Sequence, residues 1–218
     1  RSNGFIAINL EDEDALKWVR LSKEGDSVLI GSRTGMAIHF RLDINELRPL
    51  GRTARGVKSM NLRDGDNLVS MDVLTSDLVD QLAKMELPDK EIDENLEVNT
   101  SDGPWVLIAS AFGLGKRVPA TQFRLQKRAG MGLRAIKFRI KDDELVCLKV
   151  LGEGEELLFV TEKGVIVRTN ADKISQQSRA ATGVKLQRLD EGDHLSEVVL
   201  VPREQMEEED QLNSGEEN

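Results

Sequence analysis

Short segments in which apolar and polar residues alternate recur along this chain, and turn sequences separate them. In residues 36–40 (Met-Ala-Ile-His-Phe), large apolar side chains alternate with small or polar ones, as in a strand with one face in a core. The best amphipathic helix pattern, at residues 77–85, is short. Near the end of the chain, four segments are β-branched or alternating, and turns such as Glu162-Lys163-Gly164 lie between them: 156–161, 165–169, 183–189 and 195–201. The pattern predicts a chain of short β-strands.

One sequence unit is written several times. Each copy has a first glycine, then a second glycine 21, 19 or 19 residues later, and then an Asp and a Leu. The first glycines are Gly35, Gly113 and Gly164; the second are Gly56, Gly132 and Gly183; the acids are Asp66, Asp143 and Asp193. Gly4, Asp14 and Leu16 fit the same frame, so residues 1–10 are expected to form a strand within a unit whose first half is missing. A repeat of four strands is typical of propeller blades.

The predicted architecture is therefore all-β and propeller-like, with four-stranded blades, and about three and a half blades do not close a ring. The first glycines are 78 and then 51 residues apart, and the excess places an insertion at 76–102. Such a composition is expected to give a mobile loop. The predicted organisation is the end of one blade plus the next at 1–75, this insertion, two further blades at 103–202, and a disordered tail at 203–218.

The net charge of −9 is unevenly distributed. The insertion 76–102 holds nine acids and two lysines, and the tail 203–218 holds seven acids and one arginine. Residues 103–150 hold ten Lys and Arg against three acids. A basic body with two acidic appendages remains compatible with a nucleic-acid partner, which a uniformly acidic protein would not favour.

Several classes of chemistry lack their residues. The chain has no tyrosine, and its single cysteine, Cys147, excludes an internal disulfide and is expected to be buried. His39 and His194 are too far apart for a metal-ligand spacing, and no Gly-Lys-Ser/Thr phosphate loop occurs. No apolar run is long enough to span a membrane. We therefore expect no catalytic residue, no cofactor and no metal site in this chain. Trp18 and Trp105 are expected to open strands and to anchor the core.

The two sets of glycines suggest different roles. The first set is expected at hairpin tips, where a positive φ favours glycine. The second set follows basic residues, in RTARG, KRAGMG and SRAATG, and such loops could hold a phosphate with backbone amides and guanidinium groups. A β-bulge or turn with solvated arginines would give the same pattern.

Four blocks resemble one known family. They are LRPLGRTARGVKSMNL (47–62), GPWVLIASAFGLGKRVP (103–119), FRLQKRAGMGLRAIKF (123–138) and QSRAATGVKLQRLDEGD (177–193). In this order, they resemble the C-terminal domain of DNA gyrase A, most closely its cyanobacterial forms. The resemblance covers the chain apart from its two acidic segments.

The resemblance implies a β-pinwheel, a six-bladed disc that wraps duplex DNA around a basic rim. It implies a non-catalytic module of a topoisomerase (a DNA isomerase) that works with the rest of gyrase A and with gyrase B. ATP and Mg²⁺ would act through other parts of that enzyme during DNA supercoiling. It also implies a bacterial cytoplasmic, nucleoid-associated setting, with a plastid as the lesser alternative, and no membrane. The acidic tail would compete with DNA for the rim, or merely keep the chain soluble.

The candidate DNA-binding residues are the cations and glycines of these blocks. Residues 126–132 resemble the family's Q-R-R-G-G-K-G box, with Lys, Ala and Met at three of its positions, and are interpreted as a phosphate-contacting loop. Lys116 and Arg117 follow a hairpin glycine and are expected to project outward. The full set is Arg52, Arg55, Lys58, Lys116, Arg117, Gln126, Lys127, Arg128, Gly130, Gly132, Arg134, Lys137, Arg168, Arg179, Lys185 and Arg188. The alternatives are a propeller-like protein-interaction platform and the matching domain of topoisomerase IV.

Overall fold

A computed structural model describes residues 4–45, 47–85 and 103–201, which fold mainly into antiparallel β-sheet. Two 3₁₀ turns lie at Ala120–Gln122 and Ala171–Lys173. The other elements are β1 (Ser27–Ser32), β2 (Met36–Arg41), β3 (Leu68–Leu74), α1 (Ser76–Lys84), β4 (Trp105–Ser110), β5 (Leu114–Pro119), β6 (Leu133–Arg134), β7 (Leu145–Leu151), β8 (Glu156–Thr161), β9 (Ile166–Asn170), β10 (Val184–Lys185) and β11 (Leu195–Leu200). The all-β class predicted from the alternation is confirmed.

The strands form three sheets that follow one plan. Their strand orders are β3-β1-β2-β6, β10-β5-β4-β7 and β11-β8-β9. In each sheet a central hairpin pairs with the strand that closes the same repeat, and the register shifts at the same place, for example between Gly31 and Ser32 and between Ala109 and Ser110. The repeat in the sequence therefore corresponds to a repeat in the structure.

The fourth strand of a sheet comes from the following repeat. Strand β6 belongs to the second repeat but pairs with β2 of the first sheet, with Leu133 opposite Ala37. Strand β10 belongs to the third repeat but pairs with β5, with Val184 opposite Gly115. The expected strand 183–189 is thus reduced to two residues and joins the preceding sheet, so one repeat and one blade are offset. The third sheet has three strands among the described residues, and Ile166 on β9 is 61% exposed.

Apolar side chains between successive sheets form the core. All six residues of β4 are buried, because sheets lie on both of its faces. Trp105 and Cys147 pack with Leu157 and Phe159 between the second and third sheets, which confirms the expectation that Trp105 is an anchor and Cys147 is buried. Burial also raises the pKa of the Cys147 thiol to about 12.

The start of the chain differs from the prediction. No strand forms between residues 4 and 24 of the described ranges. Phe5, Leu16 and Leu21 are exposed, and Trp18 is half-buried and does not open a strand. A strand is stable only when a partner satisfies its backbone groups, and the described chain supplies no neighbouring strand for this segment.

The start of the acidic insertion, which was expected to be a loop, is helical, and the helix lies at the best helix pattern of the sequence. Residues Ser76–Lys84 form α1, where the hydroxyl of Thr75 caps the helix by accepting from the Leu78 amide. Val79 is buried in the core between the first two sheets, and Leu78 and Leu82 pack against this core, so the apolar face of the helix anchors it to the sheets. No described helix has the length and apolar character needed to cross a membrane. The rest of the insertion, 86–102, and the tail, 203–218, lie outside the described residues.

Candidate nucleic-acid interface

The repeated acids are structural groups at the hairpin tips. Gly35, Gly113 and Gly164 have positive φ, as expected. Beside the first tip, Asp66 accepts from the Thr34 amide at 3.1 Å and from its hydroxyl at 2.7 Å. Burial acts to raise the pKa of Asp66, but hydrogen bonds from Thr34, Ser32 and Asn67 outweigh it and lower this pKa. Asp143 and Asp193 hold their own tips in the same way. Each acid therefore stabilises a hairpin turn through hydrogen bonds and has a structural role.

Cations recur at fixed places around the second glycine. In the three repeats that begin with Gly35, Gly113 and Gly164, an arginine lies four residues before the second glycine, and a Lys or Arg lies two residues after it. The arginines are Arg52, Arg128 and Arg179, and the following cations are Lys58, Arg134 and Lys185. We call the three loops that carry them, residues 52–58, 128–134 and 179–185, the basic row.

Hydrogen bonds connect neighbouring loops of the basic row. Arg128 Nη1 donates to the Lys58 carbonyl at 2.5 Å, and Arg179 Nη1 donates to the Arg134 carbonyl at 2.6 Å. Both bonds join the arginine of one repeat to the cation position of the repeat before it. The Ala129 amide also donates to the Ser59 carbonyl at 2.8 Å. Because successive sheets are stacked, these contacts place the loops side by side in a continuous line.

Most candidate cations lie at the surface. Arg52, Lys58, Lys127, Arg134, Lys137, Lys185 and Arg188 are exposed, and Arg128 and Arg179 are half-buried. Two cations that the sequence reasoning missed lie beside them. Arg48 lines a shallow cleft with Lys127 and Arg128, and Arg124 acts on the charge of Arg179. Both precede the second glycine by eight residues, and that shared offset could have identified them.

The expectation that Lys116 and Arg117 project outward is wrong. Lys116 is 0% exposed and Arg117 is 5% exposed, because residues 174–181 of the next repeat cover strand β5. The Arg117 guanidinium donates to the Ile174 carbonyl at 3.0 Å and pairs with Asp172 at 2.7 Å. Neither side chain can reach a phosphate at the surface.

Other candidates have partners within the chain. Arg55 forms an exposed ion pair with Glu11 at 3.2 Å, and Arg168 forms an ion pair with Glu156. The Arg52 guanidinium lies over the Phe5 ring, 4.7 Å from its centroid. These contacts are weak at the surface, because water screens them, and they leave the cations accessible.

The loop 126–132 is shaped by packing between strands. The backbone amide of Gln126 donates to the His39 carbonyl at 2.8 Å. A Cβ on Gly132 would lie 2.4 Å from the Ala37 carbonyl oxygen, whereas a Cβ on Gly130 would meet nothing closer than 3.4 Å. The glycine at 132 is therefore explained by close backbone approach. Lys127 and Arg128 are the members of this loop with charge to offer a ligand.

Comparison with known proteins agrees with the sequence resemblance. The model of the DNA gyrase C-terminal domain, described as a beta-propeller, matches residues 26–75, 104–147 and 155–202, which correspond to the three sequence repeats. DNA gyrase A of Synechocystis sp. is 51% identical over 224 residues, covering 100% of this chain and 26% of that protein. DNA gyrase A of Staphylococcus epidermidis is 37% identical over 202 residues, covering 93% of this chain and 20% of that protein. The chain thus spans about a quarter of these relatives or less.

Solved structures show the same fold. A DNA gyrase A C-terminal domain matches 91% of this chain and 58% of its own with a TM-score of 0.72 and 26% identity. A C-terminal domain of DNA topoisomerase IV matches 97% of this chain and 58% of its own with a TM-score of 0.71 and 23% identity. The second likeness establishes the fold alone.

Proposed function

The chain belongs to the DNA gyrase C-terminal domain family, and from this premise we propose that it binds duplex DNA along the basic row and bends it. The observation that carries this proposal is the recurrence of cations at two fixed positions in three loops that hydrogen bonds join in a line. A line of cations matches the regular charge of a DNA backbone. No base-reading helix is needed, because wrapping of this kind depends on phosphate contacts and DNA deformability.

Within a gyrase, the domain would act without catalytic residues of its own. The chain contains no tyrosine, so a tyrosine-dependent cleavage step would be carried out elsewhere in gyrase A. The proposed partners are duplex DNA, the rest of gyrase A and gyrase B, in the bacterial cytoplasm. ATP and Mg²⁺ would act through other parts of the enzyme, which would use the bent DNA to introduce negative supercoils.

The test is binding of the full 218-residue chain to a duplex of about 100 base pairs, shorter than one DNA persistence length. End-to-end energy transfer reports bending, and affinity is measured at roughly 50 and 200 mM salt. We expect strong salt dependence, and we expect the DNA ends to approach each other. The double variant Lys58→Gln/Arg134→Gln, which removes two exposed cations of the basic row, should lower the slope of log affinity against log salt by about 1.8, because each phosphate contact contributes about 0.9.

The matched control is Lys84→Gln/Lys141→Gln, which removes the same charge at exposed positions outside the basic row. An equal loss in both double variants would mean that overall charge, and not the row, determines binding. A folded chain that binds no DNA at low salt would refute the proposal and leave a protein-interaction platform as the better function.

A further inference from the structure

Lys116 is a buried cation that the surface interface does not use. Its ammonium group donates to the carbonyl oxygens of Ser178 at 2.8 Å, Arg179 at 2.7 Å and Ala181 at 2.5 Å. A protonated lysine has three donors and no acceptor, so the three carbonyl groups satisfy it completely. All three belong to the next repeat: Arg179 and Ala181 lie in its basic-row loop, and Ser178 directly precedes that loop.

The fold alone does not require a lysine at this position. The residue three places after the hairpin glycine is Ile38 in the first repeat and Val167 in the third. The equivalent loop of the second repeat lies over Ile38, whose Cδ1 would be 3.7 Å from a Cβ on Gly130. An apolar residue therefore supports the equivalent loop in another repeat, so packing alone does not explain the lysine at position 116.

The loop that Lys116 holds carries one member of a cluster of cations. Arg179 donates to the Arg134 carbonyl. Burial lowers the pKa of the Arg179 guanidinium, and the charges of Arg124 and Arg134 lower it further. Among the described residues, the charged groups that shift the pKa values of Arg179 and Lys116 are cations. A cluster of like charges is costly unless an anion binds to it, so this junction between the first two sheets suits a phosphate.

We propose that Lys116 is a positioning residue for DNA: it holds the Ser178, Arg179 and Ala181 carbonyls inward so that Arg179 joins Arg124 and Arg134 in a phosphodiester-binding cluster. This inference rests on the proposed function, and it adds one site and the residue that organises it. Lys116 does not itself touch the phosphate, because it is wholly buried.

The protonation of Lys116 gives this arrangement a pH dependence. Burial lowers the pKa of Lys116 to about 7, and the charge of Arg179 contributes to the shift. On β4 the residue opposite Lys116 is Ile108, which carries no charge, and the covering loop contributes Arg179 and the three carbonyl groups. A neutral amine has two donors for these three acceptors and one positive charge fewer. A bound phosphate favours the charged form, so DNA affinity should fall as the pH rises through about 7.

The test uses the full chain and the same duplex, with Lys116→Met, Arg179→Gln, the double variant, and Lys141→Met as a control for loss of one exposed charge. Near 0.1 M salt, Lys116→Met and Arg179→Gln should each weaken binding about tenfold, the value of one phosphate contact at a slope of about 0.9. The double variant should be no weaker than either single one, because both changes disable the same site. Lys116→Met should also abolish the loss of affinity between about pH 6 and pH 8. Amide exchange should become faster in residues 178–183 and stay unchanged in β4.

Several outcomes would overturn the inference. If folded Lys116→Met keeps native affinity and native pH dependence, or if the two changes add, Lys116 does not act through Arg179. If Lys116→Met does not fold, the pH series on the native chain and on Arg179→Gln decides: equal pH dependence in both would refute the role of Lys116. Failure of the native chain to bind DNA at any pH would instead refute the proposed function itself.

Discussion

Gly132 and Gly164 form a matched pair that tests the exchange of strands between repeats. Both have positive φ, 77° and 82°, so an alanine at either position takes on the strain of the left-handed region, about 1–2 kcal/mol. They differ in the space around them. A Cβ at 164 would meet nothing within 4 Å, whereas a Cβ at 132 would lie 2.4 Å from the Ala37 carbonyl oxygen and 3.0 Å from the Met60 methyl group.

The two substitutions should therefore lower the free energy of unfolding by different amounts. Gly164→Ala should lower the free energy of unfolding by the strain alone, about 1–2 kcal/mol. Gly132→Ala should add the cost of overpacking, roughly 1–3 kcal/mol more, because β6 must move away from β2. Lost pairing between Leu133 and Ala37 should appear as faster amide exchange at these residues.

Urea unfolding followed by circular dichroism measures the free energy of unfolding of both variants under the same conditions. Equal losses in the two variants would contradict the close approach of β6 to β2, and with it the assignment of the fourth strand to the following repeat. A larger loss for Gly164→Ala would contradict the reasoning outright.

Three further predictions concern other parts of the chain. Deletion of 203–218 should raise DNA affinity in the same duplex assay if the acidic tail competes for the basic row, and unchanged affinity would dismiss the competition. Cys147 should react with a thiol reagent only after unfolding, because burial raises its pKa to about 12 and shields it; fast labelling of the native chain would count against the packing. Burial lowers the pKa of His39, against a hydrogen bond to the Phe123 carbonyl, and Arg41 lowers it further. Its contribution to stability is therefore fully present above its ordinary pKa of about 6.5 and is lost as the pH falls towards its folded pKa, a loss that thermal unfolding should show and His39→Gln should flatten.

The repeat could be predicted from the sequence, but the pairing of strands between repeats could not. Equal spacing identifies Gly132 and Gly183 as equivalent residues, but a strand that pairs with its own unit and a strand that pairs with the preceding unit have the same period. The offset of strands between units is therefore invisible in the sequence. The helix at Ser76–Lys84, in contrast, coincides with the best amphipathic helix pattern of the sequence, although the burial of Val79 was not predicted.

The basic residues of the interior show why the candidate site could be predicted only in part. His39 and Arg117 occupy the same place, four residues after the hairpin glycine. The ring of His39 bonds the Phe123 carbonyl at 2.7 Å, and Arg117 bonds the Ile174 carbonyl at 3.0 Å, and each carbonyl follows a 3₁₀ turn of the next repeat. A basic side chain at this position thus joins one repeat to the next through a hydrogen bond.

The recurrence of a basic residue in each repeat cannot by itself distinguish a contact between repeats from a contact to DNA, because both would recur in every blade. Burial separates them: Arg117 lies beneath the next repeat, whereas Arg134 and Lys185, beside the second glycine, remain exposed. Under the proposed function, Arg128 and Arg179 would combine both roles, since each ties its loop to the previous one while staying only half-buried. The contacts that order the sheets therefore also set the spacing of the surface charges, and a change at a junction between sheets should alter DNA binding even where it removes no exposed cation.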